Sequence, residues 1–133
     1  KKKLKEMFEK GEVDERYYYK QDAYMYKELK KSIVSKNTVY QWRRVYVREN
    51  KSGECPTLTA NMGTGGHNVP LIKDNLGIRK LTPRECLNFQ SFPKNFNFPY
   101  DMPISQRYKQ AGNAVTVNLI KKIAIIIKKI LNN

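Results

Sequence analysis

Cys55-Pro-Thr-Leu-Thr-Ala-Asn-Met-Gly-Thr-Gly-Gly-His-Asn68, Arg79-Lys-Leu-Thr-Pro-Arg-Glu-Cys86 and Gln110-Ala-Gly-Asn-Ala-Val-Thr-Val-Asn118 are the three stretches on which the fold of this chain turns. In the second, Thr82 suits a helix N-cap, Pro83 the first helical position and Glu85 the third, which together make a capping box and predict a short helix over 83–90. Upstream, Thr57 and Thr59 share one face of an extended segment by the strand period of two, so 55–61 reads as a strand. Gly63-Thr-Gly-Gly66 then forms a loop, and 68–72 a further strand. Downstream, Phe92-Pro-Lys-Asn-Phe-Asn-Phe-Pro is turn-rich and aromatic. Ser105 is suited to cap a helix over 106–112, and Val117 to Leu131 is a long amphipathic helix.

The N-terminal part adds shorter elements. Leu4, Met7 and Phe8 have helical spacing that stops at Gly11, a residue fit for a helix C-terminus. From Asp22, a plausible N-cap, Tyr26, Leu29 and Ile33 recur at helical intervals and predict a helix over 22–36. Positions 39–48 alternate and are rich in β-branched and aromatic residues, which predicts one strand with a basic face. Lys51-Ser-Gly-Glu54 is a turn after it. A small antiparallel sheet in the middle, flanked by helices, makes the expected class α+β.

Composition narrows the function. The 133 residues carry a net charge of +14, and from Cys55 onward there are 11 basic residues against 3 acidic ones. The excess therefore accompanies the informative blocks and points to a polyanionic partner, nucleic acid first. Richness in Lys, Asn and Ile, of the kind an AT-rich genome produces, accounts for part of it. Two cysteines and one histidine, with no CxxC pair, support neither a disulfide scaffold nor a zinc site, and suggest a reducing cytoplasm. No apolar run approaches the ~20 residues of a membrane span, and the first residues are too charged for a signal peptide.

Read residue by residue, the chemistry is that of binding. Arg43, Arg44 and Arg48 beside Tyr40, Trp42 and Tyr46 are suited to neutralise phosphates and present guanidinium forks to guanine edges, or else form a solvated strand face. Thr57 and Thr59 offer two neighbouring hydroxyls to phosphate oxygens, with Asn61 following on the same segment. Gly63, Gly65 and Gly66 let backbone approach a bulky partner, and His67 reads as loop structure or a DNA contact without a second metal ligand. The glycine loop is neither a P-loop nor a dinucleotide fingerprint, because neither Gly-Lys-Ser/Thr nor a helix follows it. Cys55 and Cys86 read as small buried residues.

The three blocks, in this order, resemble the C-terminal part of bacterial DNA (cytosine-5) methyltransferases. Val13-Asp-Glu-Arg-Tyr-Tyr18 is similar to the segment entering that family's target-recognition domain, and Thr57-Leu-Thr59 to a Thr-Leu pair inside it. Arg79 to Pro93 is similar to the ninth family motif, with Ser91 standing where Gly is usual, and Gln110 to Asn118 is similar to the tenth. The resemblance implies a small DNA-recognising domain and a returning helix, next to a large doubly wound domain that binds S-adenosyl-L-methionine and attacks a flipped cytosine through a Cys thiolate.

On that footing 1–36 would enter the small domain, 37–104 would be the target-recognition domain with the ninth motif, and 105–133 would hold the tenth motif and the C-terminal helix. Asn113, Ala114 and Val115 would wall the cofactor pocket, and Arg84 and Glu85 would be structural ion-pair partners rather than catalysts. The family's Phe-x-Gly-x-Gly cofactor loop, its Pro-Cys-Gln nucleophile and its Glu-Asn-Val are absent from these 133 residues. Cys55-Pro56 is in reverse order and is not expected to be a nucleophile. The expected partners are double-stranded DNA and an N-terminal catalytic half, with no catalytic residue, no metal and no membrane assigned to this chain. Three histories fit a chain without the catalytic half, a split subunit, a truncated gene product or a piece of a longer protein; the chain starts where the family's interdomain linker would lie, a boundary that a decaying gene would have no reason to respect. A stand-alone DNA-binding module, and a basic membrane-surface protein relying on the last helix, are the rival readings. A cofactor-walling tenth motif speaks against both.

Overall fold

The computed structural model describes residues 4–64 and 68–132. The chain enters through a single 3-10 turn at Leu4–Glu6 and a second at Glu15–Tyr17, the latter capped by the Asp14 side chain. The expected opening helix is thus only one turn, although Met7 is buried. Helix α1 spans Tyr26–Ser32 and not 22–36. Turns bonding Ala23 to Lys20 and Tyr26 to Ala23 use up its predicted start. Leu29 and Ile33 are fully buried, as their spacing requires.

The expected strand over 39–48 is a hairpin, β1 (Tyr40–Arg43) and β2 (Tyr46–Glu49), which corrects the single-strand reading. Arg44 reverses the chain at φ 64°, and the Val45 N–H donates to the Arg43 carbonyl at 2.7 Å. A non-glycine residue in this left-handed conformation gives no turn signal in the sequence. Residues 55–59 have no regular secondary structure and no strand partner, and Ala60–Thr64 is a 3-10 turn, so the strand predicted over 55–61 does not form. Its period survives: Leu58 is buried between exposed Thr57 and Thr59. Strand β3 is Leu71–Lys73, shifted from 68–72, and it pairs with a strand that pattern reading missed, β4 (Ile78–Lys80).

The result is a four-stranded antiparallel sheet in the order β2-β1-β3-β4. Apolar clusters pack on both of its faces, leaving the outer face of the hairpin open. Tyr40, Leu71 and Ile78 pack with Met25, Leu29 and Ile33 of the α1 side. Ile72 points the other way, into a cluster with Val39, Leu58, Val69, Leu81, Cys86, Leu87, Tyr108 and Ala111. Adjacent strand residues necessarily serve opposite faces. The fold is α+β, as expected.

Helix α2 (Pro83–Phe89) carries the predicted capping box: Thr82 Oγ1 accepts from the Glu85 N–H, and the Glu85 carboxylate accepts from the Thr82 N–H at 2.8 Å. It ends in a Schellman motif, with Phe92 N–H on the Leu87 carbonyl, Ser91 N–H on the Asn88 carbonyl, and Ser91 at φ 60°. This left-handed position is the physical reason a glycine is suited there. Helix α3 spans Ile104–Asn113, opening two residues before the expected start with Pro103, and not Ser105, at the N-cap. Helix α4 spans Val117–Leu131, as predicted.

Arg79 lies at the centre of the body, 2% exposed, with both arms on the fully buried Glu85 at 2.7 and 2.8 Å and its Nε on Asp74 at 2.7 Å. Glu85 also accepts from the Glu9 N–H, and Asp74 from the Tyr18 hydroxyl. Glu85 is thus an ion-pair partner, as expected. Arg84 plays a different part, holding Asn88 through Nε and the Phe96 carbonyl through Nη1.

Two outcomes follow for urea unfolding. Glu85→Gln leaves the Arg79 charge buried and half-compensated, and is expected to cost about 3–5 kcal/mol. Ser91→Gly relieves a left-handed L-residue, worth about 1–2 kcal/mol, at some cost in chain entropy, and is expected to raise stability by about 0.5–1 kcal/mol.

Candidate nucleic-acid interface

Beside the hairpin lies an open hollow of about 410 Å3 lined by Gln41, Arg43, Arg48, Asn50, Thr57, Thr59 and Asn68, among others. Four residues singled out in the sequence, Arg43, Arg48, Thr57 and Thr59, therefore face one space although they come from two separate segments. The pairing of Gln41 with Arg48 and of Arg43 with Tyr46 carries these side chains on the strand face turned away from α1. Trp42 and Val47, on the other face, pack toward the buried cluster. Tyr40 does not join the surface. It is fully buried, and its hydroxyl accepts from the Ser35 N–H at 2.9 Å.

Arg44 opens instead onto a neighbouring hollow of about 680 Å3 with Tyr24, Trp42, Arg43, Tyr46 and Asn68. The two hollows share Trp42, Arg43 and Asn68, so they form one continuous polar and aromatic surface with three arginines. Asn61 is exposed on the 3-10 turn, where its carbonyl accepts from Thr64 Oγ1 and Asn68 Nδ2. Gly65, Gly66 and His67 lie outside the described residues.

Gly63 has a packing task that the sequence did not disclose. A Cβ there would lie 2.5 Å from the Ser105 carbonyl oxygen, so the close backbone approach it permits is toward α3. At Gly112 a Cβ would lie 2.1 Å from the Thr59 carbonyl oxygen and 2.6 Å from the Ala60 nitrogen. Helix α3 thus lies directly against the segment that bears Thr57 and Thr59. At each approach it is the glycine, with no Cβ, that lets the two backbones come this close.

Gln90 joins the same region from α2. Its Nε2 donates to the Ala114 carbonyl at 3.1 Å, its Oε1 accepts from Thr116 Oγ1 at 2.7 Å, and its backbone carbonyl accepts from the Val117 N–H. This residue fixes the link between α3 and α4, and composition gave no hint of it. Ala114 and Val115 line a hollow of about 360 Å3 with Cys55, Pro56, Leu58, Phe89 and Thr116. Asn113, the last residue of α3, is exposed and does not line it.

Neither cysteine is set up as a nucleophile. Burial pushes the Cys55 thiol up to about 12 and the Cys86 thiol well above its ordinary range. Both are protonated at neutral pH. Among the described residues no group of three His, Cys, Asp or Glu side chains is placed to hold a metal ion, and no helix is long and apolar enough to cross a membrane.

Helix α4 contributes no buried residue. On this amphipathic helix Ile120, Ile123, Ile127 and Leu131, which share one face by helical spacing, are all exposed, and so are Leu119, Ile126 and Ile130, which widen that face.

Comparison with known proteins agrees with this architecture. Residues 1–129 match the sequence profile of the C-5 cytosine-specific DNA methylases. The chain belongs to that family. It is 59% identical over 113 residues to the type II methyltransferase M.Bsp6I of Bacillus sp. (strain RFL6), covering 84% of this chain and 36% of that protein. It is 49% identical over 106 residues to the type II methyltransferase M.NgoPII of Neisseria gonorrhoeae, covering 74% of this chain and 30% of that one. The chain therefore spans about a third of the length of these curated relatives. The S. pombe Dnmt2 methyltransferase structure superposes on 99% of the chain and 42% of its own with a TM-score of 0.70 at 13% identity, a likeness of fold.

Gly112→Ala is expected to destabilise the chain by about 3 kcal/mol or more, because its neighbours are backbone atoms that cannot yield. Gly11→Ala, where nothing lies within 4 Å, is the neutral control in the same thermal melts.

Proposed function

We propose that this chain is the DNA-recognising, C-terminal part of a DNA (cytosine-5)-methyltransferase, which transfers a methyl group from S-adenosyl-L-methionine to C5 of cytosine within a short site of a restriction-modification system. The observation that carries the reading is the shared surface of Arg43, Arg44, Arg48, Thr57 and Thr59, on a chain of net charge +14. Arginine forks suit phosphates and guanine edges, and the threonine hydroxyls suit phosphate oxygens. In this division 37–104 does the recognising and 105–133 returns toward the cofactor. Asn61 extends the DNA-facing side.

The chemistry of the reaction belongs to a catalytic half outside these residues. S-adenosyl-L-methionine supplies the methyl group there. In this chain Ala114 and Val115 form one wall fit for it: Val115 is an exposed apolar side chain at the mouth of a hollow, in a link that Gln90 holds rigidly from two sides. A single wall is all these residues offer. The bare apolar face of α4, next to that wall in sequence, is the surface on which the catalytic half docks. Burying an Ile side chain is worth ~1.5–3 kcal/mol, so the seven exposed Ile and Leu side chains named above are ample to hold two parts together.

Labelled-methyl incorporation into DNA tests the whole reading. The purified chain alone is expected to transfer nothing, and mixing with the catalytic half to restore transfer, which Ile123→Glu in α4 abolishes. Transfer by the chain by itself would overturn the division of roles. The restored enzyme's DNA affinity is expected to fall steeply with salt, with the log-log slope reduced by about one for each phosphate contact removed.

A further inference from the structure

A glutamine side chain ends in both a donor and an acceptor, and Gln90 spends the two on one short stretch of chain. It stands half-buried at the C-cap of α2. Nε2 donates to the Ala114 carbonyl at 3.1 Å and reaches the Ala111 carbonyl at 3.4 Å, while Oε1 accepts from Thr116 Oγ1 at 2.7 Å. The Gln90 backbone carbonyl accepts from the Val117 N–H at 2.9 Å. Among the described residues, these are the only hydrogen bonds that tie 114–117 to the body outside α3 and α4 themselves.

Thr116 carries a second, independent sign that position matters here. It occupies the N-cap of α4, where a threonine hydroxyl ordinarily accepts from an N–H of the first turn, yet it makes no such bond. Its hydroxyl is given to Gln90 instead. Ala114 is extended at ψ 151°, so the α3 ladder has already stopped, and α4 buries no residue of its own. The height of the exposed Val115 and the direction in which α4 leaves the body therefore hang on a single amide.

We propose that Gln90 is a positioning residue for methyl transfer: by gripping Ala114 and Thr116 from the end of α2, it holds Val115 in place as a wall for S-adenosyl-L-methionine. This rests on the reading of Ala114 and Val115 as a cofactor wall and deepens it. Gln90 borders the same hollow, but both ends of its amide are engaged by the chain, so it acts through the wall and not on the cofactor. Few side chains can replace it. A carboxylate keeps the acceptor for Thr116 but turns its second oxygen toward the Ala111 and Ala114 carbonyls, which repel it when ionised and accept from it when protonated. Methionine has a similar length and supplies neither bond.

Hydrogen exchange of the full 133-residue chain, followed by mass spectrometry, reads the grip without any cofactor. Gln90→Met is expected to lower protection in fragments spanning 114–120 about five- to tenfold while fragments from α2 and β3–β4 keep theirs. Adding Thr116→Val to it should change little more, because the hydroxyl has already lost its partner. In Gln90→Glu the neighbouring carbonyls raise the carboxyl pKa, so 114–120 should be protected as in the wild type at about pH 5 and lose that protection as pH rises to about 8. The wild type measured beside it should show no such change. Labelled-methyl transfer by the chain mixed with the catalytic half gives the functional arm: Gln90→Met should raise KM for S-adenosyl-L-methionine about tenfold and leave the DNA sequence preference as it was. Loss of protection spread evenly over all fragments, or a Gln90→Glu strap indifferent to pH, would reduce Gln90 to an ordinary packing residue and overturn the proposal. An unchanged KM in an active Gln90→Met mixture would overturn it too, with the proposed function intact. A wild-type mixture that transfers no methyl group would overturn the cofactor reading and this inference together.

Discussion

The buried pair of Arg79 and Glu85 is the constraint on which the rest of this molecule depends. A guanidinium held at 2% exposure has to be neutralised, and the geometry that does so, a two-armed bond to Glu85 plus a third bond to Asp74, requires three chain segments to be in register at once. Strand β4 brings the arginine, the capped start of α2 brings Glu85, and the β3–β4 turn brings Asp74. The N-terminal segment completes the arrangement through Glu9 and Tyr18. Wrong registers of β4 would bury an unpaired charge, so the network selects one packing as much as it stabilises it.

From that centre, order passes to the surface by two narrow links. Gln90, at the end of α2, bonds on both sides of the 114–117 connection and so sets where α4 departs. Gly112 and Gly63 let α3 and the 60–64 turn touch backbone to backbone, which sets the height of Thr57 and Thr59 relative to the hairpin. Neither link involves a charged or reactive side chain. Each acts by position, and together they explain why residues with no chemistry of their own sit inside the most characteristic blocks of the sequence.

The outward face of the hairpin and helix α4 are surfaces that the core of the described residues does not claim. One is polar and basic on its outward face, the other apolar over most of its circumference. Surfaces of these two kinds call for different partners: the first keeps its hydrogen-bonding groups accessible to a polyanion, and the second gains only when water is removed from it. Carrying both kinds of surface on one small body suits the proposed role of a piece that bridges a nucleic acid and another protein surface.

What the sequence by itself determined was whatever depends on neighbours within about four residues. The capping box at Thr82 and Glu85, the limits of α4, the burial of Leu29 and Ile33, and the alternation of Thr57, Leu58 and Thr59 all follow from local spacing, and all are in the structure. The three quoted blocks also carried the family. Tertiary structure alone decided the rest. The 39–48 strand folds into a hairpin because Arg44, which gives no glycine or asparagine signal, accepts a left-handed turn. Strand β4 went unseen because its three residues gain their pairing from β3 and their burial from Glu85 and Asp74, none of which is visible in a periodicity of two. The surface that gathers Arg43, Arg48, Thr57 and Thr59 exists only because two segments separated in sequence lie side by side in the fold, and contacts at long range leave no imprint on local pattern.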